Sequence, residues 1–235
     1  MPSFLDRYKA GDREHVWAEL RAMGERVSEE GVREDAWAVA CETMRRARVN
    51  VERIYLRLKA QRYEFEHPDW AWIPAVPSDV EAVREIESLV GPMPLSLRAW
   101  FEIVGSVWWT GRHPAWKSFG PETDALVVAP VSSIQDECNE WLEDREERYE
   151  EYGQFFHAEI SPDRLHKANI SGGPPYAIAC GTPCADGLVK EENRRLHFVP
   201  YLRVCFQYGG FPGFEGYMAS ENDQLRNLQQ DLLEI

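Results

Sequence analysis

Between residues 11 and 31 the apolar positions Val16, Leu20, Met23 and Val27 recur at steps of four, three and four, which places them on one side of an α-helix. Gly31 interrupts that pattern. From Val32 to about Arg62 a second stripe runs through Ala36, Val39, Ala40, Met44, Ala47, Val51, Ile54, Tyr55 and Leu58. The two stripes predict a helical hairpin over residues 1–65. Its polar face alternates in sign, as in RRARVNVERIYLRLK. A cationic face of this kind can contact nucleic acid, but it carries no interleaved aromatics, so a solvated face is the simpler reading.

The pattern breaks at EHPDWAWIPAVPSD, whose three prolines cannot continue a helix. Trp70, Trp72 and Ile73 make it too apolar for a loose linker, so residues 66–78 read as a strap. Ser78 and Glu81 have the spacing of a capping box. The helix that follows, residues 79–90, stops at Gly91 and the prolines behind it. Leu97, Trp100, Phe101 and Val104 define a second short helix.

Beyond Gly105 the period shortens to that of strands. SVWWTG, DALVVAPV, QFFHAEIS, YAIAC, GLVK and RLHFV are the candidates, with a helix from SSIQDECNEWLEDREERYEEYG between the second and third. FVPYLRVCFQY reads as a helix ending near Gly209, followed by the glycine- and aromatic-rich GGFPGF. There the glycines turn the chain, and Phe211 and Phe214 fold back onto the core. A last helix over 220–235 is capped by Ser220 or Asn222. Helices followed by mixed strands and helices give an α+β fold over 79–219, with a mixed sheet flanked by helices.

Apolar residues are 44% of the 235 and charged residues 28%, an ordinary soluble composition. A chain of this length buries roughly 70–75% of its unfolded surface and needs no staple. No secretory h-region and no run of about 18 apolar residues occurs, so the expected location is cytoplasmic, with no membrane contact. Five cysteines without a framework spacing fit reduced thiols. The net charge of −14 is uneven. Residues 1–66 hold 13 Lys+Arg against 13 Asp+Glu, and the rest hold 13 against 27. A field of that sign repels nucleic acid and anionic lipid and favours a basic protein partner.

Catalytic motifs are poorly represented. HAE at 157–159 followed by PCAD at 183–186 approaches the zinc-deaminase pattern, but Gly187 stands where the second thiolate is needed. Cys180, Cys184, His166 and His197 have a permitted but incomplete structural-zinc spacing, and buried free thiols explain the cysteines equally. No nucleophile elbow, P-loop or dinucleotide fingerprint occurs. No cofactor or metal and no catalytic residue is therefore assigned. Trp108, Trp109 and Trp116, with Tyr176 of the SGGPPY loop, are an alternative surface for stacking a sugar or another small ligand. The stronger feature is the acidic run 136–151, with nine acids and two arginines. Glu137, Glu140, Trp141, Glu143, Asp144, Glu146, Glu147, Tyr149 and Glu150 form a candidate partner-binding face, in which charge speeds encounter and aromatics anchor.

The order of segments also resembles a known family. VREIESLVGPMPLSLRAWFEIVGSVWW is similar to the opening of SUKH (Smi/Knr-type) domains. ISPDRLHKANISGGPPYAIACGTPCADGLV, followed by FVPYLRVCFQYGGFPGF, is similar to the second half of the bacterial versions. The resemblance covers roughly residues 79–218 and implies an α+β fold without shared catalytic residues. It further implies an immunity protein that neutralises a bacterial toxin, often a nuclease; the fungal members are linked to cell-wall synthesis. The N-terminal hairpin lies outside the resemblance.

Overall fold

A computed structural model of the chain describes residues 2–116, 123–144, 155–215 and 223–235. The N-terminal helices form as their stripes predict: α1 (Phe4–Lys9), α2 (Arg13–Met23) and the long α3 (Arg33–Ala60). Ser3 caps α1 by accepting the Asp6 amide at 3.0 Å. Asp35 on α3 accepts the Phe4 and Leu5 amides, at 2.6 and 3.0 Å, and so holds α1 against α3. Inside the hairpin the Trp17 indole donates to Thr43 at 3.1 Å, so both polar groups are satisfied while fully buried.

Helix α3 also organises the C-terminal segment. Arg46, Asn50, Arg53, Arg57 and Gln61 recur at three- and four-residue steps and therefore share one face. Asn50, fully buried, behaves like a peptide group: it donates to the Leu233 carbonyl (2.8 Å) and accepts the Leu233 amide (2.7 Å). Gln61 reaches the Gln224 carbonyl at 3.1 Å, Arg57 the Leu228 carbonyl at 3.3 Å, and Arg53 the Asp231 carbonyl. Part of the cationic face that sequence allows as a nucleic-acid surface, Arg53 and Arg57, is thus taken up by backbone carbonyls of the chain's own tail, while Arg48 reaches the Ile103 carbonyl and Arg45 pairs with Glu42.

Short strands follow. β1 (Glu64–Phe65) and β2 (Trp72–Pro74) flank a single 3-10 turn, so the predicted strap is in part a strand. The next helix, α4 (Pro77–Val90), starts one residue before Ser78. Pro77 suits the first helical position, which makes Asp79 the third residue, and its carboxylate accepts the Val76 amide at 2.9 Å. The Ser78–Glu81 box is therefore replaced by the single Asp79–Val76 bond, since the Val76 side chain has no acceptor to complete a box. After α5 (Leu95–Ile103) come β3 (Gly105–Trp108), β4 (Gly111–Arg112) and β5 (Val127–Val128). Then follow α6 (Val131–Glu143), β6 (His157–Ser161), β7 (Tyr176–Ala179), β8 (Val189–Lys190), α7 (Phe198–Gln207) and α8 (Asp223–Gln229). The proposed caps of the last helix, Ser220 and Asn222, lie outside the described residues.

All strand pairs are antiparallel: β1 with β4, β2–β3–β5 in one sheet and β6–β7–β8 in another. Ala129, just past β5, donates to the Ile160 carbonyl of β6 at 2.8 Å, which brings the two three-stranded sheets edge to edge. The fold class is α+β, as expected, but the expected mixed sheet is not found, since among the described residues every strand pair is antiparallel and the strands divide among three small sheets. RLHFV is not a strand; only a single bridge joins Leu188 to His197 before α7 begins. One apolar cluster runs from Tyr8 of α1 through α3, α5 and the sheets to Ile235, so the hairpin, the strand region and the tail share a core.

Candidate docking surface

In α6 the side chains of Val131, Ile134, Cys138 and Trp141 fall on the core side and are buried. That stripe turns Asp136, Glu140, Glu143 and Asp144 outward, and all four are exposed. Among the described residues, Asp136, Glu140 and Glu143 make no ion pair. Glu137 sits at the edge of the stripe, half-buried, where it accepts the Glu159 amide of β6 at 3.2 Å. Gln135 donates to Glu85 of α4 at 2.5 Å, so Glu85 and its one-turn neighbour Glu81 extend the acidic row onto a second helix.

Trp141 is only 7% exposed and packs edge-on against Phe156 with ring centroids 5.9 Å apart. It is a core residue and unavailable as an anchor, because the apolar stripe that forms the helix also carries it inward. Glu146, Glu147, Tyr149 and Glu150 lie outside the described residues. Two apolar side chains missed by sequence stand on this side: Leu89 and Phe155, exposed by 45% and 43%. Leu89 lies one turn beyond Glu85 on α4. A Cβ added at Gly181 would fall 2.9 Å from the Phe155 ring and 3.0 Å from the Val90 carbonyl, so Phe155 lies at the end of α4. The alternation Phe156, Ala158, Ile160, all buried, was the signal that Phe155 faces the other way.

The alternative ligand surface is not assembled. Trp109 and Tyr176 are at most 2% exposed and Trp116 only 6%. Trp116 stacks on His113 at 4.6 Å and receives Phe211 and Phe214 edge-on at 5.0 and 5.1 Å, so the GGFPGF aromatics seal over it. Only Trp108 reaches the surface, beside Trp70 (centroids 6.2 Å apart), with its indole N–H bonded to Thr110 at 2.8 Å.

The zinc candidates are also dispersed. His157 accepts from the Lys190 ammonium at 2.8 Å, and burial, together with the charge of Lys190, lowers its pKa to about 4. His166 pairs with Asp163 at 2.6 Å. Burial pushes the Cys180 and Cys184 thiols up to about 12 and about 11, so both stay protonated. Among the described residues no group of three His, Cys, Asp or Glu side chains is placed to hold a metal ion.

Asp186 links the hairpin to the rest of the molecule. Fully buried, it accepts the Ser96 hydroxyl of α5 (2.8 Å) and the Val199 amide of α7 (3.1 Å), with Arg21 of α2 at 3.4 Å. The Val199 bond caps α7 from a distance, which is why RLHFV gives way to a helix at Phe198. Burial raises the Asp186 pKa to about 6, against those three donors. Because this value lies above the unfolded one, the stability Asp186 contributes is complete below about pH 4 and is lost as pH rises to about 6. Asp186→Asn should therefore narrow its stability deficit against wild type by about 2–3 kcal/mol between pH 4 and pH 7. Parallel urea-denaturation pH profiles of the two proteins would remove this role.

No protein-family model, no curated protein and no solved structure matches the chain. Among the described residues no helix is long and apolar enough to cross a membrane.

Proposed function

We propose that this chain is a non-catalytic binding protein of the SUKH type, a cytoplasmic immunity protein that neutralises a basic toxin domain. The observation that carries this reading is the exposed acidic row of α6, continued on α4 and flanked by Leu89 and Phe155. Among the described residues Asp136, Glu140 and Glu143 make no ion pair, which leaves their charge for a cationic partner. Such a face accelerates encounter, while an apolar side chain at its margin slows dissociation. The segment resemblance over residues 79–218 supports the same class.

The test is stopped-flow association with purified basic nuclease toxin domains, scored alongside inhibition of their nuclease activity. For the domain that is inhibited, the triple variant Asp136→Lys/Glu140→Lys/Glu143→Lys should associate about tenfold or more slowly at low salt, with the difference shrinking as salt rises. Its circular dichroism should be unchanged, since all three side chains are exposed. An unaltered association rate at low salt would show that the partner docks elsewhere; inhibition of none of the domains would remove the toxin reading.

A further inference from the structure

A cleft of about 630 Å³ lies between α2, α7 and the C-terminal segment, within the size range of small-molecule sites. Its charges are sorted by depth. The Arg13 and Arg21 side chains line it from α2 and are only 16% and 21% exposed. Arg203 of α7 is the third guanidinium. The carboxylates on the same walls, Glu14 and Glu234, are exposed, Glu234 to 85%.

Arg203 is incompletely matched. Its Nε donates to a main-chain oxygen of Ile235 at 2.7 Å, and among the described residues its Nη2 has no acceptor. Among the described residues no side-chain carboxylate forms an ion pair with it. Arg13 pairs with Glu234 at 2.7 Å, but its Nε is also buried without a partner. Arg21 meets Asp186 only at 3.4 Å, and that carboxylate is shared with Ser96 and Val199. Burial, with Arg21 adding to it, lowers the Arg203 pKa although Tyr8, Glu14 and Asp186 oppose the shift. Buried N–H groups without acceptors are costly, and an anion is the ligand class that relieves them. The remaining wall is apolar, with Leu196, Pro200, Val204 and Leu232.

We infer that this cleft binds a small organic anion, a carboxylate or phosphate head carried on an apolar body, with the head against Arg203 and Arg21 and the body along Val204 and Leu232. The site uses different elements from the acidic face of α4 and α6, and it stands whether or not that face docks a partner.

Isothermal titration of the full chain with octanoate, octyl phosphate, 1-octanol and inorganic phosphate tests it. Saturable binding of octanoate or octyl phosphate is expected, with 1-octanol at least tenfold weaker, and the tighter of the two anions identifies the head group (about 1.4 kcal/mol per tenfold). Arg203→Gln should lose that preference for the anion over the alcohol. If Arg203→Gln does not fold, Leu232→Trp, which fills the cleft from its apolar side, should abolish anion binding in a chain of normal circular dichroism. Equal binding of octanoate, octyl phosphate and octanol, binding of inorganic phosphate as tight as the amphiphiles, or no binding at all overturns the inference.

Discussion

Lys167→Met is expected to destabilise the protein by about 3–5 kcal/mol, enough to threaten folding of a typical domain. The Lys167 ammonium is 1% exposed and bonds Asp124, 3% exposed, at 2.8 Å. Its charge also lies 4.7 Å from the centre of the Tyr176 ring, whose hydroxyl stands 3.4 Å from the second Asp124 oxygen. Met preserves much of the stem volume but leaves a carboxylate in the interior without its counter-charge. That uncompensated charge, more than the lost bond, sets the size of the effect. Adding Asp124→Asn removes the orphaned charge and tolerates the left-handed backbone at this position (φ 48°). The double variant should therefore recover most of the loss, with a coupling of about 1–3 kcal/mol in a double-mutant cycle read by urea denaturation. Additive losses would mean that the two side chains act independently and that the pair is incidental to stability.

That pair also marks where a single sequence stops being informative. Lys167 and Asp124 lie 43 residues apart, in a short 3-10 helix (His166–Ala168) and a loop, and nothing local in either signals that a charge will be buried. Asp186 is hidden for the same reason: its donors lie on α2, α5 and α7. By contrast α3, α5 and α7 were legible, because each buries a stripe with helical spacing and the stripe is itself the cause of the fold. The same logic divides the candidate docking surface. The steps Val131, Ile134, Cys138 and Trp141 place Glu140 and Glu143 outward, and they equally place Trp141 inward. Treating Trp141 as an anchor set aside the period that made α6 a helix. The tryptophan set failed differently. Residue type shows that an indole can stack on a ligand, but only packing shows that Trp116 is already covered by Phe211 and Phe214. Strand ends were least legible, since two-residue strands such as β1 and β4 carry too few positions for alternation to register.

Gly210→Ala should cost roughly 2–6 kcal/mol, the sum of backbone strain and overpacking. Gly210 has φ 94°, outside the region that residues with a side chain adopt comfortably. A Cβ there would stand 2.5 Å from a ring atom of Trp109, which is fully buried and cannot swing away into solvent. The backbone cannot simply relax either. The Gly210 amide donates to the Cys205 carbonyl at 2.7 Å, closing α7, and its own carbonyl accepts the Leu126 amide at 2.8 Å. Gly213 donates to the Thr123 carbonyl at 2.9 Å, so the turn is stitched to the segment that carries Asp124. Displacing Trp109 should thus loosen the turn and the buried ion pair together, and the change should be visible in near-ultraviolet circular dichroism as well as in the denaturation midpoint. Gly173→Ala is the control, because a Cβ there meets nothing within 4 Å, and its effect should stay within about 0.5 kcal/mol. Should both alanines prove equally mild, the close approach of Gly210 to Trp109 is not what shapes this turn. A large loss confined to Gly210 makes that glycine a packing requirement of the α+β core, through which the turn after α7 holds the Asp124 loop in place.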